Sequence, residues 1–165
     1  EIYPALERGA IDAAEWVGPY DDEKLGFYKV AKFYYYPGWW EPGPVLSFYV
    51  NKEQWDKLPR PYQAAFEAAA AEANIGMLAA YDTKNPQAIQ RLVQNGTQLR
   101  RYPDDVLKEA YGIAQKIFAE ESEKNPDFKK LYDSMRAFQQ ISDIWMGLPE
   151  NVLANFMQTQ LRAKK

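Results

Sequence analysis

The feature that most constrains the fold is a change in the sequence pattern at Pro61. Before this residue, short apolar runs alternate with Gly-Pro and Pro-Gly pairs, which is typical of short strands joined by turns. After it, alanine-rich stretches with apolar residues at intervals of three and four predict long helices. We therefore predict an α/β fold in two parts, a strand and loop segment over residues 1–60 and a mainly helical segment over residues 61–165.

The predicted strands are short and lie mostly in the first part. Four β-prone runs are found, at residues 11–17, 31–36, 45–50 and 97–101. The run at 45–50, VLSFYV, is almost entirely apolar, so we expect it to form a buried strand. Short helical segments are expected before Gly9, near residues 21–30 and after Asn51.

The helical part is divided by proline, asparagine and glycine residues. Pro86 is expected to interrupt the first long helix, because proline lacks the N–H group that a helix interior needs. The pair Asn95-Gly96 is expected to end that helix. Asp104 and Asn125, each beside a proline, are expected to begin two further helices.

The helix predicted over residues 126–146 carries an apolar stripe. Its large side chains recur mostly at intervals of three and four, and they are Phe128, Leu131, Met135, Phe138 and Trp145. Two interpretations stay open, because such a stripe suits either a helix packed within its own domain or a helix that pairs two subunits. The second interpretation predicts a homodimer.

The composition excludes several kinds of chemistry. Cysteine and histidine are both absent, which removes thiolate nucleophiles, cysteine zinc sites and every triad that depends on imidazole. The net charge is −3, so no basic surface is available and we expect no nucleic-acid partner. No apolar run approaches the ~20 residues of a membrane span. The first residues also lack a signal-peptide pattern, so we expect this chain to contain neither feature.

Two motifs in the first part carry a specific resemblance. Residues 9–22, GAIDAAEWVGPYDD, and residues 34–41, YYYPGWWE, resemble the substrate receptors of tripartite ATP-independent periplasmic (TRAP) transporters. They are most similar to the branch that binds 2-oxo and related carboxylic acids together with a metal cation. The resemblance implies a two-lobed periplasmic binding protein of which this chain is the C-terminal half. It also implies that the N-terminal half, with an arginine that clamps the ligand carboxylate, is missing here.

The same resemblance implies a ligand and cation site in these two motifs. Glu15 and Trp16 match residues that give a carboxylate and a backbone carbonyl to Na⁺ or Ca²⁺, and Glu41 completes or supports the cation shell. The pocket for a small organic carboxylate would be lined by aromatic side chains, those of Trp16, Tyr36, Trp39 and Trp40. The implied partners are that carboxylate, the membrane subunits of the transporter and the missing half. The implied location is the periplasm, and no catalysis is expected.

Other interpretations of these residues stay open at the level of sequence. Taken alone, Glu15 is typical of a solvated or ion-paired carboxylate, and the tryptophan pair is typical of core packing or a surface patch. Glu15 and Glu41 could also serve as the acid and base of a carboxylate-dependent hydrolase. A third alternative is a helical interaction module that acts through residues 126–146. Asp21 and Asp22 are interpreted as helix N-terminal residues rather than as ligands.

Overall fold

The computed structural model describes residues 1–41 and 43–163. The described chain forms two compact units, which comprise Glu1–Pro103 and the residues from Asp104 onward. The elements in chain order are α1 (Ile2–Glu7), α2 (Pro19–Lys24), a 3-10 turn (Phe27–Lys29), β1 (Phe33–Tyr36), α3 (Lys52–Lys57), α4 (Arg60–Gln94), β2 (Gln98–Arg101), α5 (Asp104–Lys124), α6 (Pro126–Trp145), a π-helical turn (Met146–Glu150) and α7 (Asn151–Arg162). Within the described residues, no helix combines the length and apolar character needed to cross a bilayer.

The two strands form a small parallel sheet in the first unit. Phe33 lies opposite Gln98, and Tyr36 lies opposite Arg101. The chain returns from β1 to β2 through α3 and α4, as a parallel pair requires, because its strands run in the same direction and need a long crossover. The strands predicted at residues 31–36 and 97–101 are thus confirmed, and with them the α/β class.

The strands predicted at residues 11–17 and 45–50 are wrong. Neither run forms a strand in the structure, and the second is strongly exposed, with Val45 at 90% and Tyr49 at 95% exposure. Apolar composition favours burial, but a strand also needs a neighbour for its backbone N–H and C=O groups. The described part of the chain does not provide that neighbour for either run.

The interruption predicted at Pro86 is also wrong, because α4 continues through it as one helix of 35 residues. A proline removes one helical hydrogen bond and crowds the preceding turn, but the flanking turns and the packing of α2 against α4 offset that cost here. The end of the helix is as predicted. Asn95 is its C-terminal cap, and Gly96 follows with a φ of 93°, a left-handed conformation that favours glycine.

The centre of the first unit is the contact between α2 and α4. Ala88 and Leu92 of α4 are the fully buried apolar residues among those described. Close by, Arg91 forms a two-pronged ion pair with Glu23 of α2, with both N···O distances at 2.7 Å. Because planar guanidinium and carboxylate groups match in two-pronged pairs, this contact fixes the orientation of α2 as well as its position.

The second unit is built from α5, α6 and α7. Asn125 begins α6 as predicted, and its side-chain oxygen accepts hydrogen bonds from the N–H groups of Asp127 and Phe128. The ring of Phe118 on α5 lies 5.2 Å from that of Tyr132 on α6. Most of the predicted stripe on α6 faces solvent, namely Leu131, Met135, Phe138 and Trp145.

We expect the substitution Leu92→Ala to lower the free energy of unfolding by about 2–5 kcal/mol, because it leaves a cavity in the most buried part of the first unit. The matched control is Leu78→Ala on the same helix, where the side chain is 64% exposed and the expected change is within about 0.5 kcal/mol. Denaturant unfolding measures both. Equal effects of the two substitutions would contradict this account of the core.

Candidate functional site

The predicted site residues lie on two segments of the first unit. We call residues 15–16 the first site segment and residues 36–41 the second site segment. The first segment is an unpaired stretch between α1 and α2, and the second begins at the last residue of β1. All six predicted site residues are exposed, which is the state of a surface and not of a closed cleft. Their roles as ligands stay predictions.

The second site segment presents a row of aromatic rings. The rings of Trp39 and Trp40 meet edge to face, with centroids 5.4 Å apart. Trp40 also meets Tyr102 edge to face at 6.0 Å, and Tyr102 packs against Tyr35 at 5.2 Å. Such contacts hold the indole planes at fixed angles and leave them 40% and 46% exposed.

Tyr102 is a residue that sequence reasoning missed. It follows β2 directly, and its N–H donates to the carbonyl of Tyr36 over 2.8 Å, so the parallel pairing of the strands brings it beside the second site segment. The sequence places Tyr102 near this segment only when the predictions for the two strands are combined. The two predicted strands would have had to be paired in parallel before the residue after the second strand could be placed next to Trp40.

The first site segment is held by the start of α2. The N–H of Tyr20 donates to the side-chain oxygen of Asn85 on α4 over 3.1 Å, and the Tyr20 ring lies below the ammonium groups of Lys24 and Lys84. Asp21 and Asp22 fall in the first turn of α2, which confirms their interpretation as helix N-terminal residues. The segment that carries Glu15 and Trp16 therefore leads into an anchored helix.

Asp22 has an unusual environment for a helix N-terminal carboxylate. It is buried, with 7% exposure, and its Oδ2 accepts a hydrogen bond from the Tyr34 hydroxyl over 2.5 Å. Burial raises the pKa of Asp22, and the negative charges of Asp21 and Glu15 raise it further, whereas the hydrogen bond from Tyr34 and the nearby backbone of Gly18 act in the opposite direction. The Glu15 charge is thus felt at Asp22.

Tyr34 shows the complementary effect. Burial raises the pKa of its hydroxyl strongly, and the hydrogen bond to Asp22 and the charge of that carboxylate add to the rise. The hydroxyl therefore keeps its proton and stays a donor throughout the physiological range. The other carboxylate oxygen of Asp22, Oδ1, is buried and has no hydrogen-bond partner among the described residues.

The described residues form no full cation cage at the predicted site. Two open hollows, of about 480 and 300 Å³, lie elsewhere, one beside Phe48, Trp55 and Phe66 and one beside Pro19 and Pro86. In the described ranges 1–41 and 43–163, no three acidic side chains are grouped closely enough to hold a metal ion. A cation at Glu15 would need oxygen ligands beyond the carboxylates of this chain.

Comparison with known proteins identifies the family to which this chain belongs. Residues 1–125 match the model of the bacterial extracellular solute-binding proteins of family 7, known as DctP. The chain belongs to this family. A family 7 relative is the monocarboxylate 2-oxoacid-binding periplasmic protein of Nostoc sp. (strain PCC 7120), which is 50% identical over 156 residues, or 94% of this chain and 43% of the relative.

Two solved structures of TRAP solute-binding proteins match nearly the whole chain. The protein from Bordetella bronchiseptica RB50 is 45% identical and has a TM-score of 0.90 over 99% of this chain and 49% of its own. It is described as a mixed occupancy dimer with calcium and picolinate in one active site. The protein from Pseudoalteromonas atlantica T6c, with bound sodium and pyruvate, is 30% identical and has a TM-score of 0.88 over 93% and 47% of the two chains. The chain therefore spans about half the length of these relatives.

We expect Asp22→Asn to change the pH dependence of stability. Because the folded state raises the pKa of Asp22, the folded protein binds more protons than the unfolded chain above the unfolded value of about 3.9, and stability falls as pH rises through this window. The asparagine variant lacks this loss, so its stability relative to the parent should increase from about pH 4 upward and then level off.

Denaturant unfolding at a series of pH values measures the difference between Asp22→Asn and the parent. The control is Asp12→Asn, since Asp12 is exposed. If the difference between Asp22→Asn and the parent were constant across pH, Asp22 would not titrate differently in the folded and unfolded states.

Proposed function

We propose that this chain is the C-terminal half of a periplasmic receptor of a TRAP transporter, which binds a small 2-oxo or related monocarboxylate together with Na⁺ or Ca²⁺. The observation that carries the proposal is that two solved relatives, each aligned with more than nine-tenths of this chain, hold a cation and a carboxylate together. The Nostoc relative, whose name specifies 2-oxoacids, narrows the class of ligand. The receptor passes its ligand to the membrane subunits and does not convert it chemically.

The proposed cation site begins at the first site segment. Glu15 offers carboxylate oxygens and Trp16 a backbone carbonyl, which are the hard donors that Na⁺ and Ca²⁺ prefer. Ca²⁺ takes about six to eight oxygen ligands. Glu41, the bound acid and the other half of the receptor would supply the remainder. An acid ligand enclosed in a cleft loses its hydration. A cation at Glu15 would compensate for this loss by attracting the carboxylates of both the ligand and Glu15.

The proposed ligand wall is the exposed aromatic row of the second site segment. Trp39 and Trp40 are held at right angles to each other, and Tyr36 adds a hydroxyl at the end of β1. Picolinate and pyruvate, the ligands of the two solved relatives, are small, flat carboxylates. Flat rings select ligands by size and shape, whereas the cation and a clamping arginine of the other half would recognise the carboxylate. Closure of the two lobes would then enclose the ligand.

The exposed stripe on α6 supports a further proposal, that two receptors pair through this helix. Phe138 and Leu131 are 71% and 72% exposed, although both lie on the apolar face of the helix. The Bordetella relative is described as a dimer. Helix α6 lies in the second unit, and both site segments lie in the first.

We expect Glu15→Gln in the full-length receptor to weaken pyruvate binding at least about tenfold and to reduce its dependence on Na⁺ or Ca²⁺ in parallel. The amide keeps the shape of the side chain but removes the charge that attracts the cation. Calorimetric titration of pyruvate with and without the cation measures both effects. The control is Glu7→Gln, an exposed carboxylate on α1. Parent-like affinity and cation dependence in Glu15→Gln would remove Glu15 from the site.

We expect Phe138→Glu to convert a dimeric receptor into a monomer, because it places a charge in the centre of the apolar stripe. Gln140→Glu adds the same charge on the same helix outside the stripe and should leave the dimer intact. Sedimentation velocity of the parent and the two variants gives their masses. A parent and a Phe138→Glu variant with the same mass would argue against pairing through α6.

A further inference from the structure

We propose that Asp22 and Tyr34 are a positioning pair, which holds the two site segments of the receptor at a fixed separation so that cation and ligand can be bound together. Neither residue is placed in contact with the ligand. The inference rests on the proposed function, since it concerns how the same site is assembled.

The pair joins the elements that carry the two site segments. Asp22 lies in α2, six residues after Trp16, and Tyr34 lies in β1, two residues before Tyr36. The Tyr34 hydroxyl donates to Oδ2 of Asp22 over 2.5 Å. One hydrogen bond therefore connects the helix that follows the first site segment to the strand that leads into the second.

Asp22 and Tyr34 lie on elements that pack against different parts of the first unit. The ion pair of Glu23 with Arg91 and the hydrogen bond from Tyr20 to Asn85 hold α2 against α4. Tyr34 lies in β1, where parallel pairing places it opposite Leu99 of β2. The Asp22–Tyr34 bond thus crosses from a helix supported by α4 to a strand supported by β2.

Burial makes this bond more constraining than a surface contact. A hydrogen bond in water is exchanged for one to solvent at little cost, whereas breaking a buried one leaves two polar groups without partners. Asp22 is 7% exposed, while the side chains of both site segments are exposed. The second oxygen of Asp22 is already without a partner among the described residues, so displacement of Tyr34 would leave the whole carboxylate poorly satisfied.

The electrostatics connect the pair to the first site segment. Among the causes that raise the pKa of Asp22, the charge of Glu15 is the smallest, and it links the carboxylate proposed to bind the cation to the pair. The charged groups that affect Asp22 are Glu15 and Asp21, both acidic, and its hydrogen-bond donor is the neutral Tyr34. A cation bound at Glu15 would therefore reduce the repulsion between Glu15 and the carboxylates of Asp21 and Asp22.

The test is Tyr34→Phe in the full-length receptor, a change that removes only the hydroxyl. We expect the affinity for pyruvate in the presence of Na⁺ to fall about tenfold, because ligand binding must then bring the two released segments back to their bound separation, at a cost comparable to the lost hydrogen bond. The matched control is Tyr28→Phe. Tyr28 is half-buried in the same unit and lies outside both site segments, and its hydroxyl makes no hydrogen bond with the described residues. It should bind within about twofold of the parent.

Substitutions of Asp22 give an independent measurement. Asp22→Asn keeps an oxygen that can accept from Tyr34, so its affinity should stay within about threefold of the parent. Asp22→Leu removes the acceptor and should reproduce the loss seen in Tyr34→Phe, and the double variant should bind no worse than either single variant because both remove one interaction. Should Asp22→Leu fail to fold, Tyr34→Phe and Asp22→Asn still decide the outcome.

A role in positioning differs from a general role in stability. Fluorotryptophan at Trp16 and Trp39 reports the local environment of each segment, and we expect both ¹⁹F resonances to shift in ligand-free Tyr34→Phe. The stability control is Phe66→Leu, which weakens the ring contact with Trp55 of α3 but leaves α2 and the Asp22–Tyr34 bond in place. An equal loss of affinity in Phe66→Leu, at equal loss of melting temperature, would overturn the positioning role.

The Glu15→Gln variant in the same assay distinguishes failure of the positioning pair from failure of the proposed cation site. If Glu15→Gln loses affinity and Tyr34→Phe binds like the parent, the positioning pair is overturned while the proposed function stands. If Glu15→Gln binds like the parent, the proposed site is overturned and the positioning pair with it. Loss of affinity in both, with parent-like binding in Tyr28→Phe, supports both.

Discussion

The packing of α2 against α4 is the contact on which the first unit depends. A helix of six residues is not stable by itself, because too few hydrogen bonds follow the costly first turn. Its position comes from contacts with α4, chiefly the ion pair of Glu23 with Arg91 and the hydrogen bond from the Tyr20 N–H to the Asn85 side chain. Since Glu15 and Trp16 precede this helix directly and Asp22 reaches from it to β1, both site segments depend on how α2 is seated.

Two β-prone runs of the first unit lack a partner strand among the described residues. Residues 45–50 are exposed although they are almost entirely apolar, and residues 11–17 are exposed as well. Backbone groups in such runs need partners, and large apolar patches are uncommon on proteins that act alone. The chain spans about half the length of its relatives, and the other half of their fold is where such partners would be expected.

Local signals predicted local structure well, and contacts between distant residues were harder to foresee. The starts of α5 and α6, the end of α4 and the two strands β1 and β2 follow from caps, glycine and β-prone composition within a few residues. The runs at 11–17 and 45–50 were wrong because a strand depends on a partner, which no short window contains. Asp22 was correctly placed at a helix start, but its burial depends on Tyr34, twelve residues away.

The continuity of α4 has a mechanical consequence. At a rise of 1.5 Å per residue, its 35 residues form a rod of about 52 Å. Tyr81 to Arg91, near one end, contact α2, whereas Phe66, near the other end, contacts Trp55 of α3. A tilt of this helix about its contact with α2 would therefore displace the end that carries Phe66, and α3 with it, across the helix axis.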